Sequence, residues 1–415
     1  MISNELNEFN QLKIKMKSEV TKPKNGNFKR TTIRRLIELG VLVALFVTLT
    51  LLKNSPKVCE FFARTFSRVW IFIFGNALGW IPLSFYELFL IVVIVGAIVF
   101  VVLEIVFLAK RKWRSLISAA LIVALSVLAF LNIYTATASF SYGRDKLPNE
   151  VYSEYCGDDL TFEEAVALAE KLINQANADY HATAHNEDGN IIYPYTFSEV
   201  SSMLAEEYKR LDSGYFSSYT PRGKKIINKT IMSEMHITGV FFAPFGEANV
   251  NGYEVRNLYF PHTLAHEMAH GKGVMREYEA NLVASYICIT SENPYLRYGA
   301  LVDCLYSAVA IVGLYPNSSS EYSRLRAMID DGIRTEQLNY SKFYSQFTML
   351  RDIGNFFNDI YLKLNKQKEG TGSYHKPGEN VGTGVKDDEG HEIVRVINFS
   401  ATQNLLIKLY KENLL

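Results

Sequence analysis

The sequence has few cysteines, no excess of charge of either sign and no visible internal repeat. Its four cysteines among 415 residues show none of the paired spacings that bind structural zinc, and Cys288 and Cys304 fall in apolar stretches typical of buried thiols. The 43 basic residues balance the 43 acidic residues, and the C-terminal part has no basic block. Nucleic acid is therefore not an expected partner.

Hydrophobic residues make up 48% of the chain and are concentrated in its first third. Three runs, at 36–52, 88–109 and 116–140, are almost free of charge, and each is long enough to cross roughly 30 Å of hydrocarbon as a helix. About 35 mostly polar residues precede the first run and no convincing cleavage site follows it, so this run is expected to remain as an anchor. The sequence predicts an integral membrane protein with about three transmembrane helices, and hence a lipid bilayer as partner.

Basic residues indicate how these helices are oriented. Six lie between 22 and 35, before the first run, and four lie between 110 and 114, between the second and third runs. Because basic residues near membrane ends tend to stay in the cytoplasm, we expect a cytoplasmic tail at 1–35, a membrane domain at 36–140 and an extracytoplasmic domain at 141–415. The aromatic-rich segment 53–87 is predicted to be interfacial or re-entrant; a span there would reverse the topology.

Helical patterns dominate the part of the chain after the membrane domain. Thr161 and Glu164 have the spacing of a capping box, which predicts the start of a helix, and a second helix is expected at 197–211. The nearly apolar stretch 298–315 contains Asp303, and a charge in mid-membrane is costly. We therefore interpret this stretch as a buried helix in preference to a fourth span.

A strand and a long loop complete the prediction. The aromatic and branched residues at 240–245 indicate a strand, and Pro244 places its end at an edge of a sheet, where an extended substrate backbone can pair with it. The stretch 366–392 is rich in glycine and charge and reads as a loop, and 393–410 is expected to return to a strand or helix. The predicted fold class is α+β, with transmembrane helices followed by a mainly helical domain that has a small β-sheet.

The stretch from His266 to His270 reads His-Glu-Met-Ala-His and is predicted to lie on a helix. On a helix the two imidazoles project from one face and can hold one metal ion, with zinc as the default. Glu267, beside the first histidine, is placed to take a proton from a zinc-activated water and to deliver it to the leaving group. These residue types at this spacing predict a metallopeptidase with Glu267 as general base.

An open catalytic zinc site needs a third protein ligand. The metzincin pattern would have a histidine where this chain has Arg276, which excludes that class. Two glutamates follow, Glu277 and Glu279, and they lie roughly 200° apart on a helix, so only one can face the metal. We predict Glu279, because it shares the more apolar face, and leave Glu277 as the alternative. Asn281 is then expected to orient a histidine or the nearby backbone.

The pattern of Glu279, Asn281 and Ala284 after the two histidines resembles the signatures of gluzincin-type peptidases, in which the first glutamate ligates zinc. The departure is Asn281, where several of those families have aspartate. The chain is also similar, from about 35 to 410, to a bacterial family of uncharacterised function in which membrane spans precede an extracytoplasmic gluzincin-like domain. The stretches that carry this second resemblance are 81–85, 239–245, 247–249, 265–270, 276–281, 297–299, 361–363 and 372–374. Both resemblances imply a zincin-like fold and a metallopeptidase.

The predicted protein is a membrane-anchored zinc metallopeptidase of a bacterial cytoplasmic membrane, acting on a peptide or protein substrate outside that membrane. The alternative is a non-catalytic zincin-fold module for binding or sensing. An intramembrane protease is disfavoured, because residues around the motif, such as Lys272 and Arg276, are too polar for a span. Tyr374 and His375 are candidates to polarise the substrate carbonyl.

Overall fold

The computed structural model describes residues 25–365, 367–374 and 397–415, and this part of the chain is mostly helical. Residues 366 and 375–392 of the predicted loop and residues 1–24 of the predicted tail lie outside the described residues, whereas 367–374 are described and contain a 3₁₀ turn at Gly370–Tyr374. The α-helices are, in chain order, α1 (Asn25–Leu52), α2 (Pro56–Phe62), α3 (Arg68–Gly79), α4 (Phe85–Ala109), α5 (Trp113–Thr137), α6 (Phe162–Ala182), α7 (Phe197–Glu207), α8 (Lys229–Glu234), α9 (Phe260–Gly271), α10 (Glu277–Ile289), α11 (Pro294–Val312), α12 (Ser319–Met328), α13 (Asp331–Ser345), α14 (Arg351–Leu364) and α15 (Ala401–Lys411). The strands are β1 (Ala184–His185), β2 (Ile191–Ile192), β3 (Gly223–Ile226), β4 (Gly239–Phe242) and β5 (Glu247–Asn251).

The chain divides into two compact units. The first consists of Met1–Leu51 and Val92–Ile133, and the second of Leu52–Ile91 and Tyr134–Leu415. The first unit is built from α1, most of α4 and most of α5. Within it, the Asn132 side chain donates a hydrogen bond to the Leu42 carbonyl at 3.1 Å, which joins α5 to α1.

Four helices among the described residues are long and apolar enough to cross a membrane. Three of them, Phe28–Leu52, Phe85–Ala109 and Trp113–Thr137, correspond to the predicted runs and have at most 6% of their most apolar stretch buried. Large apolar side chains that face outward along whole helices need a lipid environment. The protein is therefore membrane-associated.

The fourth long apolar helix is α11, and it is a core helix. Two-thirds of its apolar stretch, 67%, is buried inside the protein, mainly against α6. Leu301, Leu305 and Ala308 are fully buried there. The structure thus agrees with the prediction of a buried helix at 298–315.

The third apolar run ends earlier than predicted. Helix α5 stops at Thr137, and a 3₁₀ turn at Ser139–Gly143 follows. Phe140, which the prediction placed in the membrane, is fully buried and stacks on Phe62 of α2 with ring centroids 4.1 Å apart. The prediction followed hydrophobicity alone, which does not distinguish lipid from a protein core.

The second unit places a three-stranded sheet beside a bundle of buried helices. The strand order is β3-β5-β4, with β3 parallel and β4 antiparallel to β5, so β4 lies at an edge of the described sheet. Strand β4 ends at Phe242, earlier than the 240–245 prediction, because residues 243–246 form the turn into β5. Helices α9 and α10 pack on each other, and α9 also packs on β4 and β5.

Capping side chains determine where two helices of this unit begin. Thr161 accepts a hydrogen bond from the Glu164 amide, and the Glu164 carboxylate accepts one from the Thr161 amide, which confirms the predicted capping box at the start of α6. Thr196 caps α7 in the same way. Cys288 and Cys304 are buried free thiols, as the apolar sequence around them predicted.

Candidate metal centre

The end of α9 positions one of the two histidines. Gly273 has a φ of +96°, a backbone conformation that favours glycine, and the Val274 amide donates back to the Ala269 carbonyl at 3.1 Å. This turn brings the Val274 carbonyl to within 2.7 Å of Nδ1 of His270. The glycine that closes the helix therefore also orients the His270 ring.

Three buried side chains converge next to this turn. Nε2 of His266 lies 3.1 Å from Nε2 of His270, and Oε2 of Glu277 lies 3.2 Å from the first nitrogen and 3.5 Å from the second. All three residues are buried. Among the described residues they form a group of His, Cys, Asp or Glu side chains that could share one metal ion.

The hydrogen bonds behind the rings determine which nitrogen carries the proton. Nδ1 of His266 lies 2.7 Å from Oδ1 of Asn281, and the Asn281 amide nitrogen donates to the Tyr374 carbonyl at 3.1 Å, which fixes the amide orientation. Nδ1 of His270 faces the Val274 carbonyl. Because both partners are acceptors, each Nδ1 is the donor and a neutral ring presents a lone pair at Nε2.

When both rings are neutral, their Nε2 lone pairs and the Glu277 carboxylate oxygen thus converge, and a cation can stabilise this arrangement. In a tetrahedral zinc site with bonds of roughly 2.0–2.1 Å, ligand atoms lie roughly 3.3–3.4 Å apart. The separations of 3.1, 3.2 and 3.5 Å between these three atoms are close to that spacing. The donor set therefore fits a zinc ion with one coordination position left open among the described residues.

Glu277, and not Glu279, is the carboxylate at the histidines. Helix α10 begins at Glu277, so Glu277 and Asn281 are one turn apart and both face His266. Glu279 faces the other way, where it forms a buried ion pair with Arg276 and accepts a hydrogen bond from Tyr278. The structure thus brings together His266, His270 and the alternative glutamate, and it places Glu279 outside the cluster. Asn281 orients His266 as the sequence predicted.

Electrostatics within the cluster reflect burial and close opposite charges. Burial acts to raise the pKa of Glu277, but the charge of His270 and the hydrogen bonds to both histidines lower it to about 2. Burial acts to lower the pKa of His270, but Glu277 raises it to about 9. Burial lowers the pKa of His266. With no metal bound, Glu277 therefore favours the protonated form of His270.

Glu267 lies between the site helix and the edge strand. Burial raises its pKa to about 8, although His270 and a hydrogen bond from the Phe241 amide act to lower it. A Cβ atom on Gly239 would lie only 2.4 Å from Oε1 of Glu267, so β4 approaches this carboxylate at a distance that only glycine permits. A carboxyl group with a pKa near neutrality can both accept and donate a proton.

Two tyrosines border the cluster. The Tyr374 ring stacks on His266 at a centroid distance of 6.4 Å, which places this predicted residue beside the site, while His375 lies outside the described residues. Tyr361 lies in the 361–363 stretch of the family resemblance but had no predicted role at the site; its hydroxyl lies 3.0 Å from that of Tyr142. Burial raises the pKa of Tyr361, and the charges of Glu277 and Glu267 add to that effect.

The fold and the site together define a membrane-associated, mostly helical protein with a buried candidate metal centre. Residues 62–377 match the family described as "Protein of unknown function (DUF3810)", and the chain belongs to this family. No curated protein and no solved structure matches the chain.

Proposed function

We propose that this protein is a membrane-anchored, zinc-dependent metallopeptidase with a gluzincin-like site. The observation that carries the proposal is the convergence of His266, His270 and Glu277 at zinc-ligand spacing, with the Glu267 carboxyl beside them. The resemblance of the motif to gluzincin-type peptidases, and of the wider chain to a bacterial membrane family, supports the same activity. Zinc is the default ion for two histidines and a glutamate.

Each residue has a defined task in this proposal. His266, His270 and Glu277 would hold the ion, and zinc supplies a Lewis acid that lowers the pKa of water to roughly 7. Glu267 would accept a proton from the attacking water and return it to the leaving amine, and the positive charge of a bound zinc ion would favour the ionised carboxylate that this step needs. The edge of β4 would align an extended peptide beside Glu267.

The proposed location is the outer face of a bacterial cytoplasmic membrane, with the N-terminus in the cytoplasm. If α1, α4 and α5 all cross the membrane, the residues between α1 and α4 and those after α5 lie on the same side of it. The basic residues before α1 and between α4 and α5 favour the cytoplasm for the opposite ends. Cleavage of the second unit by protease added to spheroplasts tests this topology.

Replacement of the general base tests the activity. Purified full-length protein should bind about one zinc ion, and Glu267→Gln should keep that zinc while hydrolysis of a peptide library falls by roughly 10²–10⁴-fold. The matched control is Glu292→Gln, which neutralises an exposed glutamate outside the cluster and should leave hydrolysis unchanged.

Unchanged cleavage by Glu267→Gln would contradict the proposed mechanism. A wild-type protein that binds zinc but cleaves no member of a diverse library would instead favour the alternative, a zincin-fold module for binding or sensing.

A further inference from the structure

Helix α14 is strongly amphipathic, and the described residues leave its apolar face exposed. Large apolar side chains recur at i, i+3, i+4, i+7 and i+11, and between 40% and 72% of each is exposed. These residues are Ile353, Phe356, Phe357, Ile360 and Leu364. Met349, just before the helix, is 81% exposed. Contiguous apolar surface of this kind marks an interaction site.

The exposed apolar face is distinct from the face by which α14 packs on the protein. A Cβ atom on Gly354 would lie 2.6 Å from the Met235 carbonyl oxygen, and Leu362 is fully buried, so these positions form the docking face. Asp352, Asp359 and Lys363 lie on a third, charged face, where Lys363 and Asp359 form an ion pair at 2.7 Å. A helix with one face toward protein, one toward water and one apolar has the composition of an interfacial membrane helix.

The contacts at the C-terminal end of α14 favour lipid as the partner of the apolar face. Asn365 donates to the Tyr134 hydroxyl at 2.9 Å and accepts from Ser139 at 2.7 Å, and Ser139 in turn accepts from Lys53 at 2.5 Å. Tyr134 is in the last turn of α5, and Lys53 directly follows α1. Leu364, the exposed residue before Asn365, is therefore close to residues that directly follow α1 and end α5, and it would lie near a bilayer surface if those helices cross the membrane.

We propose that the apolar face of α14 inserts into the lipid bilayer, with the helix lying in the plane of the membrane surface. A 3₁₀ turn at Gly370–Tyr374 follows α14 and packs on both α14 and α10. Within it, Tyr374 stacks on His266 and accepts a hydrogen bond from Asn281. Insertion of α14 thus holds the metal centre beside the membrane surface.

Nitroxide labels on two faces of α14 test this proposal in the full-length protein. The exposed Cys156 is first replaced, as Cys156→Ser, and the other three cysteines are buried. A label is then placed through Phe357→Cys on the apolar face or Asp352→Cys on the charged face, where the Asp352 side chain is 90% exposed. Each protein is reconstituted into phosphatidylethanolamine and phosphatidylglycerol vesicles, and collision rates with oxygen and with a water-soluble nickel chelate are measured.

The label at 357 should have a several-fold higher ratio of oxygen to nickel collisions than the label at 352, because oxygen concentrates in the acyl region. Ile353→Cys, on the same apolar face, should behave like Phe357→Cys and serves if that variant does not fold. Equal nickel access at 352, 353 and 357 would overturn the proposal by showing a water-exposed face. Protection of 353 and 357 from both reagents would also overturn it, because the face would then be covered by a second copy or by residues 375–396.

Discussion

At the scale of single residues, the two imidazole rings are oriented by groups that lie outside the histidine motif. The Asn281 amide accepts from His266 while donating to the Tyr374 carbonyl, and the Val274 carbonyl accepts from His270. Such outer partners fix the tautomer of a ligand and raise its basicity. The motif therefore provides the two histidines, and the Asn281 amide with the Tyr374 and Val274 carbonyls orients their rings.

The assignment of Glu277 as third ligand gives the first prediction at this scale. Glu277→Gln should lower zinc affinity by more than the roughly 10- to 100-fold that loss of an outer partner costs. Glu279→Gln is the matched control, one helical step away and paired with Arg276, and its zinc affinity should be close to that of the wild type. Competition with a chromogenic zinc chelator measures both. Weakened binding in Glu279→Gln alone would restore the original choice of ligand.

A pattern in the sequence was available to identify this ligand. Glu277 and Asn281 are four residues apart, so a helix that directs Asn281 to a histidine must direct Glu277 there as well. Placing Asn281 near the site and Glu279 on the metal was inconsistent, because these residues do not share that face. The apolar character around Glu279 reflects burial against Arg276 and Tyr278, which sequence periodicity does not separate from burial at a metal.

At the scale of helices and strands, the close approach of β4 to α9 supports a prediction about the kcat of the proposed peptide hydrolysis. Gly239→Ala should displace the Glu267 carboxyl, since the added Cβ would lie 2.4 Å from Oε1, 2.8 Å from Cγ and 2.9 Å from Cδ. Misplacement of a catalytic group by about 1 Å costs roughly 100-fold in kcat. Zinc affinity should not change, because the three ligands are untouched.

Measurement of kcat and of zinc content together checks this expectation. Gly96→Ala is the control, because nothing lies within 4 Å of a Cβ at that position. A wild-type kcat in Gly239→Ala would mean that the distance between β4 and Glu267 does not affect the reaction.

Helix α2 provides a prediction about pH. Glu60 forms a salt bridge with Arg144, whose side chain is 1% exposed. Burial acts to raise the pKa of Glu60, but Arg144 and Arg64 lower it from 4.5 to about 2. Because folding lowers this pKa, the ion pair stabilises the folded protein above pH 4.5, and that stabilisation is lost as the pH falls toward 2.

Glu60→Gln should therefore lower the free energy of unfolding at pH 7 by about 3 kcal/mol, as expected when one partner of a buried pair is removed. The difference in the free energy of unfolding between Glu60→Gln and the wild type should shrink as the pH falls from 4.5 toward 2. Glu154→Gln, which removes an exposed ion pair with Lys146, should have almost no effect. The free energy of unfolding of the full chain in detergent is measured at several pH values for the wild type, Glu60→Gln and Glu154→Gln. A constant deficit at every pH would contradict the ion-pair explanation.

At the scale of the whole molecule, the two proposals together predict that the substrate is presented at the membrane surface. In vesicles, a fluorogenic peptide tethered to lipid by a short spacer should be cleaved with a higher kcat/KM than the same peptide on a long glycine-serine spacer. The prediction rests on both proposals. Preference for the long spacer would contradict the location of the site, whereas failure to cleave either peptide would count against the peptidase activity.

Local sequence was sufficient to predict the features that depend on near neighbours along the chain. The three apolar runs, the capping box at Thr161 and the histidine pair follow from composition and helical spacing, because each involves residues within a few helical turns. The mainly helical fold with a small sheet was predictable for the same reason. Zincin-like architecture and peptidase activity stay predictions.

Features that involve segments far apart in the sequence depend on how the chain packs in three dimensions. The contact of α10 with α9 places Glu277, and not Glu279, against the histidines, and the return of Tyr374 to the cluster brings an aromatic ring beside His266. The exposed face of α14 and its attachment to the ends of α1 and α5 join residues more than 200 positions apart. Sequence periodicity shows which side of a helix is apolar, but not whether protein, lipid or a metal centre lies against it, since that depends on what the rest of the chain brings there.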